Sequence, residues 1–200
     1  DGSSAENMPF QKFYLLRHGQ TEWNVARRLQ GRLDSELTQI GQAQALRQAE
    51  IMCPVLAKNP NLSILSSPQG RALTTAKIAT NAQEFKIMTD PRLREISAGS
   101  WDGCYLADIE ESHASLFNQA RNPFELMFLA PDGEGASAVQ TRCEDFLNQQ
   151  SAPAMLVTHG ATLCVLRGIL RGLSFDDTLD LGHEQGCVYV IKNGKETILR

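Results

Sequence analysis

No run of apolar residues in this 200-residue chain approaches the length of a membrane span, so nothing in it reads as a transmembrane helix. Positive charge is not in excess. Nineteen Lys and Arg stand against 23 Asp and Glu, a formal net charge of −4, which argues against nucleic acid or a membrane surface as partner. The five cysteines, Cys53, Cys104, Cys143, Cys164 and Cys187, form no Cys-x-x-Cys pair and no short disulfide-like spacing. An odd, scattered set fits free thiols in a reducing, cytoplasmic setting, with buried structural roles favoured over a catalytic one. Histidine is scarce, and neither His18 nor His159 has a partner at His-x-His or His-x-x-x-His spacing, so no metal site is expected. Repeats, linkers and low-complexity tracts are absent as well. The opening Asp1-Gly2-Ser3-Ser4-Ala5-Glu6-Asn7 is polar and lacks the apolar stretch of a signal peptide. Residues 1–9 are read as a disordered leader or a cloning remnant, and residues 10–200 as one domain.

What is present is ordinary for a globular protein: 42% hydrophobic and 21% charged residues, enough to bury a substantial core. Lys12 to Leu16 reads as a short buried strand. Thr38 is placed to cap a helix running to about Leu56, with Ala45, Ala49, Met52 and Leu56 on one face. Leu62 to Leu65 forms a second strand, after which Ser67 is expected to cap and Pro68 to open a helix carrying Arg71 and reaching Asn81. Lys86 to Met88 gives a third strand. One helix is expected over Leu106 to Gln119, a loop around Asn122-Pro123, and a helix over Gly135 to Gln149. Ala154 to Thr158 is a fourth strand, followed by an apolar helix over Thr162 to Leu170. Cys187 to Ile191 and Glu196 to Leu199 flank an Asn193-Gly194 turn. Strands alternating with helices predict an α/β fold, a three-layer α/β/α sandwich around a mostly parallel central sheet.

Chemistry gathers at three strand-to-helix junctions. Arg17, His18 and Gly19 end the first strand, Arg71 follows the second by one helical turn, and His159 ends the fourth. Ligands of such sheets bind outside the carboxyl ends of the strands, where helix N-termini also point. Two histidines and two arginines are therefore expected at one edge, with Gly19 letting the backbone approach a ligand. A phosphoryl group suits that mixture: arginines neutralise its oxygens, and a neutral imidazole attacks phosphorus. A protonated second histidine would help hold the charge, and a partly buried Glu would protonate the leaving alkoxide.

Arg17-His18-Gly19-x-Thr21-x-x-Asn24 resembles the signature of the histidine phosphatase superfamily, the phosphoglycerate mutase-like enzymes. The resemblance runs from the first strand to His159. It implies the phosphoglycerate mutase-like fold, His18 as the phosphorylated nucleophile and Arg17 as a phosphate ligand. Asn24 matches an asparagine that contacts the phosphate, although a turn role suits it equally. Leu37-Thr38-x-x-Gly41-x-x-Gln44-Ala45 is similar to the family's helix-opening segment. Ser66-Ser67-Pro68-Gln69-Gly70-Arg71-Ala72 resembles the second-arginine motif and implies Arg71 as a phosphate ligand. Leu93-Arg94-Glu95-Ile96 with Gly99-x-Trp101-Asp102-Gly103 implies Glu95 as proton donor, Asp102 and Glu134 being nearby alternatives. Val157-Thr158-His159-Gly160 matches the second catalytic histidine. Pro131-Asp132-Gly133-Glu134 resembles a family segment in which a serine stands where this chain has Gly135. His113 and His183 lie outside the pattern and are expected as exposed or loop histidines.

Hydrolysis and mutase activity both start from a phosphorylated His18 and differ in whether water or a second hydroxyl takes the phosphoryl group. The mutases of the family carry a longer basic insertion and a C-terminal tail that shield the site from water. Here the segment from Trp101 to Pro131 is short, with Arg121 its only basic residue and Phe124, Leu126, Met127, Phe128 and Leu129 apolar. That favours a phosphatase acting on a small phosphorylated metabolite, without cofactor or metal, whose site binds phosphate or sulfate. The apolar residues either wall the substrate or pack on the sheet. A mutase, a protein phosphatase and a non-catalytic binding module on the same fold are the alternatives. The substrate and the oligomeric state are not legible in this pattern.

Overall fold

The computed structural model describes residues 10–81 and 85–200; the leader expected over 1–9 lies outside the described residues. The strands are β1 (Phe13–Arg17), β2 (Ser63–Ser66), β3 (Ile87–Thr89), β4 (Ala154–Thr158), β5 (Val188–Lys192) and β6 (Lys195–Leu199). The helices are α1 (Glu22–Val25), α2 (Gln39–Lys58), α3 (Gly70–Ala79), α4 (Leu106–Ser112), α5 (Ala114–Gln119), α6 (Pro123–Phe128), α7 (Gly135–Asn148), α8 (Gly160–Arg171) and α9 (Phe175–Leu179).

Side chains of a strand alternate between faces, and here both faces are apolar. Phe13 and Leu15 of β1 join Ala154 and Leu156 of β4 in one core, packed against Val139, Cys143 and Phe146 of α7 and Leu163 of α8. Tyr14 and Leu16 join Met155 and Val157 in a second core, covered by Met52 and Leu56 of α2 and Ala72 and Ala76 of α3. A sheet buried on both sides needs helices on both, and the three-layer α/β/α sandwich follows. The strand order is β3-β2-β4-β1-β5-β6. The first four run parallel, and β5 and β6 pair antiparallel at the other side. Asn193 and Gly194 both take positive φ, as the tight turn between β5 and β6 requires.

The sheet register builds the site. Arg17 pairs with Thr158 and Ser66 with Val157, so His18, Ser67 and His159 each follow a neighbouring strand end. The link tightens further where His18 N–H donates to Thr158 C=O at 3.0 Å and Ser67 N–H to Val157 C=O at 2.9 Å.

Several local expectations shift. Helix α3 starts at Gly70, not Pro68, because the Ser67 hydroxyl is spent on the Gln69 N–H and on His159. Helix α8 starts earlier, at Gly160. The single helix expected over Leu106 to Gln119 breaks at His113, whose φ of −134° leaves the helical region. Asn122-Pro123 opens a helix instead of a loop: the Asn122 side chain caps the Glu125 N–H at 2.9 Å, and Pro123 takes the first turn. On α2 the capping Thr38 holds, but Gln48 takes the buried place beside a half-buried Ala49. Its amide donates to Arg17 C=O and Cys187 C=O, both at 3.1 Å, tying the ends of two strands together.

Candidate active site

His18 is 2% exposed, and its Nδ1 lies 2.7 Å from the carbonyl of Gly19. A carbonyl only accepts, so Nδ1 carries the proton and Nε2 keeps its lone pair. Burial, with the Arg71 and Arg17 cations next, pushes the His18 imidazole well below its usual range, which keeps it neutral. Gly19 serves a purpose other than ligand approach: a Cβ there would stand 2.3 Å from the Gly41 carbonyl, so the glycine lets the start of α2 pack on the turn. Its N–H is held by Thr75 Oγ1 at 3.1 Å.

His159 is fully buried, its ring centroid 5.2 Å from that of His18. Its Nε2 meets Ser67 Oγ at 2.8 Å, and its Nδ1 is buried without a protein partner. Burial first, then Arg71, His18 and Arg17, push its pKa well below the usual value. Burial thus favours the neutral ring of His159, and a protonated ring needs the negative charge of a bound anion.

Arg17 and Arg71 converge on the same point. Arg71 is buried at the first turn of α3. Its Nη1 donates to Leu33 C=O and Asp34 Oδ1, and its Nη2 to Gly31 C=O. Arg17 Nη1 donates to both Nδ1 and the carbonyl of His183 at 2.9 Å. In each guanidinium Nε is buried and unpartnered. Two guanidinium N–H groups and an imidazole nitrogen on residues neighbouring His18 are thus buried and unsatisfied, a costly arrangement.

Glu95 reaches this site from the loop after β3. Its Oε1 accepts from the N–H of Ile96 and from the N–H and hydroxyl of Thr162, and its Oε2 from the N–H of Ala161 alone. The carboxylate thereby caps the start of α8, directly behind His159. The two alternative acids are occupied elsewhere. Asp102 binds Ser97 Oγ and the N–H groups of Ala98 and Arg32, and Glu134 pairs with Arg142 at 2.7 Å. Asn24 closes a capping box with Thr21 at the head of α1 and also accepts from Gln185, while still lining the cleft.

Arg17, His18, Asn24, Arg71 and Glu95 line a cleft of about 380 Å³, with Phe124 and Met127 on its wall, while His159 is buried beside His18 and does not itself line it. The apolar segment therefore does both things expected of it: Leu126 and Met127 belong to the core, while Phe124 and Met127 face the cleft. Arg121 is not there, being engaged by Glu125, Asp176 and Asp180. His183 is the cleft residue that sequence reasoning did not single out. It sits on a loop as expected but faces the site, its ring edge-on to Phe124 at 3.7 Å. Burial and then Arg17 push its pKa down to about 4. No motif marks it; only the Gly182–Gly186 path beside β1 brings it in. Among the described residues no cluster of His, Cys, Asp and Glu could hold a metal ion, and no helix is long and apolar enough to cross a membrane.

Comparisons with known proteins give the family and the fold. The probable phosphoglycerate mutase GpmB of Yersinia pestis (strain Pestoides F) is 34% identical over 165 residues, covering 80% of this chain and 74% of that protein. Among solved structures, YhfR of Bacillus stearothermophilus superposes with a TM-score of 0.79 at 30% identity, over 94% of this chain and 95% of its own. The mycobacterial glucosyl-3-phosphoglycerate phosphatase, solved with VO3, gives 0.74 at 27% identity, over 94% and 98%. With residues 13–198 matching the family model of the histidine phosphatase superfamily (branch 1), the chain belongs to that superfamily of phosphatases and mutases.

Proposed function

We propose that this protein is a metal-independent phosphomonoester hydrolase working through a phosphohistidine on His18. The observation that carries the reading is that Arg17 and Arg71 line one cleft with His18, whose Nε2 lone pair is free, the His159 ring lies 5.2 Å from that of His18, and Arg17 Nε, Arg71 Nε and His159 Nδ1 are buried without a partner. Phosphoryl oxygens are acceptors of the kind that guanidinium and imidazole N–H groups bind. His18 Nε2 attacks phosphorus in line, forming the N–P bond as the ester O–P bond breaks, and the arginines neutralise the charge in transit. Glu95 Oε2, with a single N–H donor, is the oxygen suited to carry a proton to the leaving alkoxide. Water then attacks phosphorus, the N–P bond breaks, and the proton released returns to the carboxylate.

Two named similarities support hydrolysis and transfer respectively. The mycobacterial phosphatase at 27% identity favours water as acceptor. The GpmB relative favours a mutase as second reading. Hydrolysis of p-nitrophenyl phosphate in EDTA tests the first. Turnover in the parent and its loss in His18→Ala are expected; unchanged turnover in the variant would overturn His18 as nucleophile. Interconversion of phosphoglycerates with a bisphosphorylated primer, faster than their hydrolysis, would replace the first reading by the second.

A further inference from the structure

Three non-glycine residues take positive φ among the described residues, and two of them, Asn81 and Asn193, carry the side chain that tolerates it. The third is Arg27, at φ 55°. It follows Ala26, the C-cap of α1, and its N–H donates to Asn24 C=O. Helices ordinarily place Gly at that position, because a Cβ there crowds the backbone. The chain instead places a long cation there, and Arg27, exposed, lines the same cleft as His18.

The charge balance of the cleft makes the choice informative. Four arginines, 17, 27, 28 and 71, line it against one carboxylate, Glu95, in a protein of net charge −4. Three of the four are held by the protein. Arg17 is held by His183 and Arg71 by Asp34, while Arg28 stacks on Trp23 at 3.8 Å and donates to Gly103 C=O at 2.6 Å. Arg27 makes no side-chain hydrogen bond or ion pair among the described residues. A single phosphoryl group is already served by Arg17 and Arg71.

We infer that Arg27 forms a second anion subsite, so that the substrate is a small phosphomonoester carrying another negative group on its body. The inference rests on His18 marking the phosphoryl position. Its structural basis is a strained backbone kept at the cleft mouth for the sake of an unpaired guanidinium. Arg27→Gly removes the cation and relaxes the backbone together, so anion binding is expected to fall while stability is kept or rises.

A matched pair of probes reads the subsite directly: 3-phosphoglycerate, and glycerol 3-phosphate, which has a hydroxymethyl group in place of the carboxylate. Titration into His18→Ala protein avoids turnover, so the result stands whether or not the phosphatase reading does. That reading is sunk separately by silence on p-nitrophenyl phosphate. The expected result is tighter binding of 3-phosphoglycerate, weakened about tenfold by Arg27→Gly while glycerol 3-phosphate is unaffected. A melting temperature at or above that of His18→Ala alone shows that the fold is kept. Equal loss for both probes, loss for neither, or no preference before the change would overturn the subsite.

Discussion

Arg17 Nη1 donates to Nδ1 of His183 at 2.9 Å, across 166 residues of chain, and the same nitrogen donates to the His183 carbonyl. Two acceptors from one residue fix the plane of the guanidinium, whose Nε stays buried without a partner. The loop that carries His183 is itself pinned. Arg167 Nη1 donates to the Gly182 carbonyl, the Glu184 N–H donates to Tyr189 Oη at 2.7 Å, and Arg167 is paired with Glu196 at 2.7 Å. A chain of ordinary structural bonds thus ends in the orientation of one cleft-lining arginine.

His183→Leu is therefore expected to raise KM for p-nitrophenyl phosphate about tenfold, with a smaller change in kcat. His183→Asn, whose Oδ1 can stand near the place of Nδ1, is expected to restore most of the loss. Since burial and Arg17 hold the ring neutral down to about pH 4, the parent's KM stays free of a His183 titration above that pH. Equal defects in the Leu and Asn variants would show that the ring merely fills space beside Phe124.

Gly19→Ala tests the turn. A Cβ 2.3 Å from the Gly41 carbonyl meets backbone, which cannot swing aside. The variant is expected to lose about 2 kcal/mol in urea denaturation, through overpacking between the first turn and α2. Unchanged stability would mean that the start of α2 is free to move away.

How much of this was open to sequence reading follows from the range of each interaction. Thr38 announced the helix it caps because a cap acts on the next three residues, and Asn193-Gly194 announced its turn for the same reason. His18, Arg71 and His159 were legible as junction residues because parallel topology puts strand ends on one edge. Helix α3 was misjudged at its start because Ser67 answers to His159, 92 residues away, rather than to its own helix. Gln48 and His183 were missed for a related reason. Each is a polar residue whose partners, Cys187 and Arg17, lie 139 and 166 residues off. Such pairings leave no local periodicity. The short α1 and α9 have too few turns to show one.

The two buried histidines are expected to contribute to loss of stability in acid. Both are pushed well below their usual value of 6.5, chiefly by burial. The unfolded chain then binds protons that the folded site refuses, so unfolding free energy rises with pH in that window. Their contribution is complete above about pH 6.5 and falls as pH drops beneath it, by about 1.4 kcal/mol per histidine for each pH unit. Urea titrations at pH 7, 6 and 5 are expected to show the loss, and His159→Gln a shallower slope. Saturating inorganic phosphate, which brings negative charge against His159, is expected to flatten it too. A parent slope matched by His159→Gln would assign the acid loss to other groups.

Glu95 presents the sharpest choice between chemistry and architecture. Its carboxylate accepts three N–H groups and a hydroxyl, most of them from the first turn of α8, which is reason enough for a buried acid. Proton donation is a separate claim and depends on the leaving group. An alkoxide needs the proton, whereas p-nitrophenolate departs without one. If Oε2 delivers it, Glu95→Gln is expected to lower kcat on alkyl phosphates by about 10²- to 10⁴-fold and to leave p-nitrophenyl phosphate far less affected. If Glu95 only anchors the start of α8, the amide presents an N–H group where Oε2 accepted one, and the displaced His159 slows both substrates alike. A melting curve for the variant completes the separation: the anchoring role predicts a drop in stability in step with the loss of rate, and the proton-donor role predicts a loss of rate that depends on the leaving group whatever the stability does.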